Sequence, residues 1–229
     1  MTALDFPSSP TYGDIYAGKF KWDGEKWIPY PTGVGLPLPA TATYDGAVTN
    51  VVMSNGNLTA TYNGLGSYNG TRSTAGKSSG KYYFEVTVNQ FSGSLSGDQI
   101  GILKTSASYI DMNALNANVS SISLINGKVW SNNGDSGKSI GAVASSNVIG
   151  VAADLGNLKI WFRKNGGNWN GLAIGSENPA TNLGGAVVSA GTYSPALFYN
   201  WVNGDGATGN FGATAFGTAA PSGFTGWTV

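Results

Sequence analysis

The sequence contains no cysteine and no histidine among its 229 residues. Those two absences exclude disulfide staples, thiolate nucleophiles, imidazole general bases and the ligand sets on which most transition-metal sites are built. Charge is scarce too: charged residues make up 10% of the chain, with 12 basic against 12 acidic for a net charge of zero. The Lys and Arg residues are scattered, so no basic stripe exists to neutralise phosphates or to lie on an anionic bilayer, and neither nucleic acid nor membrane is expected as a partner. No apolar run approaches the ~20 residues needed to cross a bilayer. The opening stretch from Met1 to Pro7 lacks a positive segment followed by an apolar run. The expectation is a chain without a secretory signal, made in the cytoplasm and kept soluble there or carried off in a particle.

What is abundant is glycine, 35 residues, in a chain that is 41% hydrophobic. That mixture suits many short strands joined by tight turns and argues against disorder. Six of the nine prolines, Pro7, Pro10, Pro29, Pro31, Pro37 and Pro39, precede Ala40. Proline withholds backbone donors from strands and helices, so residues 1–39 are predicted to form a region separate from 40–229. Within it, Asp14 to Ala17 and Lys26 to Ile28 flank Lys21-Trp22-Asp23-Gly24-Glu25, where Asp-Gly favours a type I′ hairpin. This hairpin carries Phe6, Tyr12, Tyr16, Phe20, Trp22 and Trp27, more aromatic surface than two strands can bury in themselves. The segment from Pro29 to Pro39 reads as an extended connector that would hold the hairpin at a distance.

From Thr41 onward the pattern is strand and turn. Val51 to Met53 and Leu58 to Tyr62 bracket Asn55-Gly56. Tyr82, Phe84, Val86 and Val88 alternate with Lys81, Tyr83, Glu85 and Thr87, the period of a half-buried strand with its apolar face inward and Glu85 outward. Ile100 with Ile102, Ser121 to Ile125 and Lys128 to Trp130 supply further strands, and Val148 to Ala153 is apolar on both faces, as a central strand would be. Leu158, Ile160 and Phe162 alternate with Lys159, Trp161 and Arg163, which places Trp161 outward, where it would serve an interface. Asp111 to Val119 allows at most a short helical turn. The expected fold is all-β, two packed antiparallel sheets.

Five landmarks in order are similar to those of the SPRY domain family: Gly80-Lys81-Tyr82-Tyr83-Phe84-Glu85-Val86; Gly97-Asp98-Gln99-Ile100-Gly101-Ile102; Val148 to Leu155; Ile160-Trp161-Phe162-Arg163-Lys164-Asn165-Gly166; and Tyr193 to Ala196 with Asn210-Phe211-Gly212 and Pro221 to Phe224. The resemblance runs from about Tyr44 to Phe224. It implies a bent, lectin-like SPRY sandwich whose loops bind partners without chemistry. A second resemblance covers Asp5 to Ile28, through Phe6-Pro7-Ser8-Ser9-Pro10, Gly13, Tyr16 and Trp22 to Trp27, and is to a short module of tail and appendage proteins of tailed bacteriophages. It implies a virion component, attached to other virion proteins by Phe6, Tyr12, Tyr16, Trp22 and Trp27. By analogy with appendage proteins, it also implies a homo-oligomer, a trimer.

Candidate binding residues on the displayed loops are Trp130, Asn132, Asn133, Trp169, Asn200 and Trp201, because aromatic faces stack on sugars or side chains while amides hydrogen-bond. Core packing is the competing reading for the tryptophans. Asp154 resembles a catalytic carboxylate in its setting, but bonding turn amides accounts for it. No acid pair of the kind a glycosidase needs is visible, so no catalytic residue is assigned and the chain is expected to be a non-enzyme. The oxygen-rich stretches Asn132 to Gly137 and Asn203 to Gly206 are assigned to turn chemistry, since neither fits the twelve-residue calcium loop; no metal or cofactor is expected. The expected function is a bacteriophage virion protein, on head or tail, recognising a host surface glycan or protein. An intracellular adaptor gripping a partner peptide is the alternative, and a carbohydrate-active enzyme a third.

Overall fold

The structure is a computed structural model that describes residues 15–16, 20–22, 25–29, 42–46, 48–64, 68–93, 97–200 and 202–229. The chain divides into two units, Met1–Ala40 and Thr41–Val229.

In the first unit, β1 (Ile15–Tyr16), β2 (Phe20–Trp22) and β3 (Trp27–Pro29) form an antiparallel sheet in that order. The expected two-stranded hairpin is therefore a three-stranded meander. Ile15 and Ile28 both pair with Lys21, which puts β2 in the centre, and a third strand supplies the pairing that a lone hairpin lacks. Trp22 sits opposite Trp27 in the register, with ring centroids 5.6 Å apart, edge to face. The turn residues Asp23 and Gly24, and the aromatic residues Phe6 and Tyr12, lie outside the described residues.

The second unit contains β4 (Val51–Ser54), β5 (Thr59–Tyr62), β6 (Tyr68–Arg72), β7 (Lys81–Gln90), β8 (Gln99–Lys104), helix α1 (Ile110–Ala114), β9 (Val119–Ser123), β10 (Lys128–Ser131), β11 (Gly134–Ser139), β12 (Val148–Asp154), β13 (Lys159–Lys164), β14 (Ala186–Val187), β15 (Tyr193–Asn200), β16 (Gly206–Asn210) and β17 (Thr225–Gly226). One sheet has the order β11-β10-β9-β8-β15-β6, the other β14-β13-β12-β7-β16-β5-β4. Period-2 alternation decides what lies between them. Ile100, Ile102, Ile122, Val129 and Leu197 from the first sheet join Phe84, Val86, Ile149, Val151, Ile160 and Phe162 from the second in one buried cluster. β12, apolar on both faces, is flanked by β7 and β13.

The outer faces are covered as well, which overturns the interface expected of Trp161 and buries the outward-facing Glu85. Trp161 does point away from the main core, yet it is 0% exposed, packed with Tyr83, Ala152, Trp169 and Phe224 in a second cluster. Glu85 also points outward but is buried, because the segment after β16 crosses this face. Its carboxylate accepts from the backbone amides of Gly217 (2.6 Å) and Thr218 (2.9 Å) and from the Tyr83 hydroxyl (2.8 Å). The crossing segment returns as β17, parallel to the start of β7, on the edge that β16 leaves free after pairing at Glu85. The sandwich does not end at Phe224: Trp227 is fully buried in the main core, 5.7 Å from the Phe84 ring, with Nε1–H donating to the Ala75 carbonyl (3.0 Å). On the other sheet, α1 closes the outer face over Leu103, Val119, Ala196 and Phe198 through the buried Met112.

Candidate functional site

Each of three buried carboxylates is committed to holding the fold. Glu85 fixes the crossing segment. Asp154 accepts from the backbone (2.9 Å) and side-chain (2.8 Å) amides of Asn157 in the β12–β13 turn and faces Lys81 at 3.6 Å. Glu177 holds together residues 165–185, the long connection from β13 to β14.

That connection leaves β13 through Asn165 and Gly166, both at positive φ (50° and 71°). It then folds onto the open edge of β13. Pairing between β13 and β14 covers only Lys159 and Ile160, so beyond it the Phe162 amide is met by a side chain, the Asn170 carbonyl oxygen at 2.9 Å. The Asn170 amide donates in turn to Glu177 Oε2 (2.9 Å), which also accepts from the Gly185 amide (2.7 Å), while Oε1 takes the Lys138 ammonium. Glycine is required where this loop returns: a Cβ on Gly184 would stand 2.5 Å from the Glu177 carboxyl and one on Gly185 2.8 Å from the Trp161 ring, both at positive φ. The Trp161 indole N–H donates to the Leu183 carbonyl (3.0 Å), which closes the loop against the sheet.

Two clefts adjoin across the Lys138–Glu177 ion pair. One, of about 250 Å³, is lined by Arg163, Asn168, Trp169, Ile174 and Glu177. The other, of about 270 Å³, is lined by Asn132, Asp135, Ser136, Lys138 and Val187 among others. Around them the loop leaves aliphatic side chains in solvent: Ile174 is 72% and Val187 58% exposed, with Leu172 and Leu183 also exposed. A larger cleft of about 410 Å³ opens between Phe91, Ile125 and Val143, but among the described residues no charged side chain lines it to direct a partner. The paired clefts combine a rigid charged centre with exposed apolar surface, the composition of a protein-binding patch.

A model of the SPRY domain matches residues 81–200, more than half of the chain. The chain belongs to the SPRY family. Solved SPRY structures superpose on it: that of human HERC1 at a TM-score of 0.58 and 18% identity, covering 72% of this chain and 96% of that one. The TRIM65 PSpry domain gives 0.52 at 12% identity, covering 74% and 92%. A human SPRY domain gives 0.52 at 14% identity, covering 74% and 99%. No curated protein sequence matches the chain.

Within this SPRY sandwich the residues singled out from the sequence do not converge on one point. Trp169 forms the wall of the first cleft, 9% exposed, with the Arg163 guanidinium 4.4 Å from its ring centroid. Asn132 lines the second cleft and accepts from the Ser189 hydroxyl (2.8 Å). Asn132 and Asn133, at φ 51° and 71°, are the two central residues of the turn between β10 and β11. Trp130, half-buried, points away from the core that its neighbour Val129 enters, with Lys128 5.9 Å from its ring. Asn200 closes β15 beside Asp98, and Trp201 lies outside the described residues. Of the attachment set, Trp22 and Trp27 are half-buried, and only the backbone of Tyr16 is described. The stretch from Gly134 to Gly137, assigned to turn chemistry, belongs to β11, whose register slips by a bulge between Lys128 and Trp130. Arg163, Glu177 and Lys138, which build the clefts together with Asn170, carried one signal in the sequence: charged residues stand out in a chain with so few of them.

Proposed function

We propose that this SPRY sandwich is a non-catalytic module that grips a protein partner at the paired clefts beside Lys138 and Glu177. SPRY domains in general bind protein partners. The observation that carries the assignment to this surface is the rigid hub at Glu177, which holds an excursion whose Leu172, Ile174, Leu183 and Val187 side chains stay exposed instead of entering a core. A preordered apolar surface loses little conformational entropy when a partner covers it. The test is capture of the native partner by the full chain and by a variant carrying Leu172→Asp and Ile174→Asp; equal capture by a stably folded variant would refute it.

The finer reading is a structural and recognition protein of a bacteriophage particle, with the aromatic unit docking on other virion proteins and the sandwich displayed to a host surface protein or glycan. Support comes from the aromatic meander that precedes a proline-rich connector, and from the resemblance of Asp5 to Ile28 to appendage modules. The intracellular adaptor is supported by the adjoining clefts, which suit an extended peptide laid across one ion pair. Mass spectrometry of purified particles, with copy number, separates the two. If deletion of residues 1–39 leaves a folded sandwich still incorporated into particles, the attachment role of the first unit is wrong.

A further inference from the structure

We propose that Lys138 and Asn170 react to form an amide bond between their side chains, with Glu177 moving the protons, so that β11 and the loop after β13 become covalently joined. Both groups meet on one carboxylate. Glu177 takes the Lys138 ammonium at Oε1 and the Asn170 side-chain amide at Oε2 (2.9 Å). The attacking amine and the nitrogen it displaces therefore sit on the two oxygens of the same acid. The backbones meet beside them: a Cβ on Gly171, next to Asn170, would stand 2.0 Å from the carbonyl oxygen of Ser139, next to Lys138. Topology causes this meeting, because β11 is the outermost strand of its sheet and the loop that folds onto the edge of β13 reaches it.

Asn170 is held at both ends of its amide. Its Oδ1 accepts from the Phe162 backbone amide (2.9 Å) while its Nδ2 donates to Glu177. Acyl transfer requires a donor on the carbonyl oxygen where negative charge develops, an acid on the leaving nitrogen and a base on the attacking amine, and all three are present. The Gly185 amide, donating to Glu177 Oε2 (2.7 Å), fixes the carboxylate in place. Asn170 and Glu177 are each 1% exposed, and the Lys138 side chain is 19% exposed. Burial keeps water, the competing nucleophile, from the amide carbon. The flexible four-carbon stem of lysine lets its nitrogen pass from Oε1 to that carbon while its backbone stays in the strand.

The atoms balance without an outside reagent. Glu177 takes a proton from the Lys138 ammonium, which leaves a neutral amine. Its lone pair forms the bond to Asn170 Cγ, and the carbonyl electron pair moves onto Oδ1, facing the Phe162 N–H. Glu177 delivers its proton to Nδ2, the Cγ–Nδ2 bond breaks and ammonia departs. The surplus proton on the new amide nitrogen passes through Glu177 to the ammonia, which leaves as ammonium and restores the carboxylate. This is one turnover within one chain, on no outside substrate, and it does not depend on what the clefts bind.

The experiment is intact-mass measurement of the denatured full chain, followed by protease digestion and sequencing of any linked peptides. The expected result is a chain lighter than its sequence by one ammonia, with a branched peptide that joins Lys138 to Asn170. Glu177→Gln removes the proton carrier and should restore the full mass. Lys138→Arg, the second variant should the first fail to fold, keeps a positive charge beside Glu177, but its guanidinium stays protonated and does not attack. It too should show the full mass and no branched peptide. An asparagine before glycine, as at Asn170-Gly171, also loses ammonia when it closes onto its own backbone. A wild-type chain lighter by ammonia but with Lys138 and Asn170 in separate peptides would mark that ring and overturn the bond, as would a folded wild-type chain of full mass.

Discussion

The guanidinium of Arg163 stacks over Trp169 at 4.4 Å while donating to the Tyr83 hydroxyl (2.9 Å) and to the Ala219 carbonyl (2.7 Å). One side chain on β13 therefore ties together the cleft loop, the sheet and the segment that crosses its outer face. Lysine has a single point charge and no planar fork, so it cannot keep the stack and both bonds. Arg163→Lys should lower stability by about 1–3 kcal/mol in urea unfolding, and an unchanged midpoint would mean that the clamp is idle.

Trp227 lies beyond the part of the chain that resembles the family in sequence, yet its indole is buried between Tyr82 and Phe84. Trp227→Ala should cost about 3–5 kcal/mol, the range for a large aromatic removed from a core. Equilibrium denaturation reads this directly; a loss below about 1 kcal/mol would place the ring outside the core.

Leu172 and Ile174 are solvent-exposed in the free sandwich. Replacing both with Asp should change stability by no more than about 0.5 kcal/mol each, while weakening partner binding by at least about tenfold, as loss of a central apolar contact does. Binding that survives the change would move the interface elsewhere.

Burial, reinforced by the neighbouring Asp205, pushes the Asp98 carboxyl up to about 8 in the folded chain against an ordinary 3.8. Between those values the unfolded chain has released a proton that the folded chain still holds. The contribution of this group to stability is therefore complete below about pH 4, falls as pH rises toward 8 and levels off above. Melting followed across that window should show the decline, and Asp98→Asn should abolish it; a contribution that grows with pH would contradict the raised Asp98.

Alternation was a reliable guide wherever one face of a strand enters the core, so β7, β12 and β13 and their inward residues were legible from the residues alone. The same rule misled on the role of Trp161, while Glu85 faces outward as expected and is nevertheless buried. Alternation gives direction and not exposure, and the outer face of that sheet is closed by the β13–β14 loop and by the segment after β16, which the strands' own patterns do not show. β6, β11 and β16 are rich in Gly, Ser, Thr and Asn and carry little apolar pattern, so only their pairing identifies them. The clefts were illegible for a related reason. Asn170 and Glu177 are polar residues in a long loop, and their role arises from an unpaired amide on β13 that no local pattern shows.

Hydrogen exchange measured by mass spectrometry, on the full chain alone and bound to the partner isolated with it from its source, tests the binding surface most directly. The account predicts slowed exchange in residues 168–187 and 131–138, around the Lys138–Glu177 pair. Protection confined to other parts of the sandwich, such as the cleft at Phe91 and Val143, with these two segments unchanged, would contradict it.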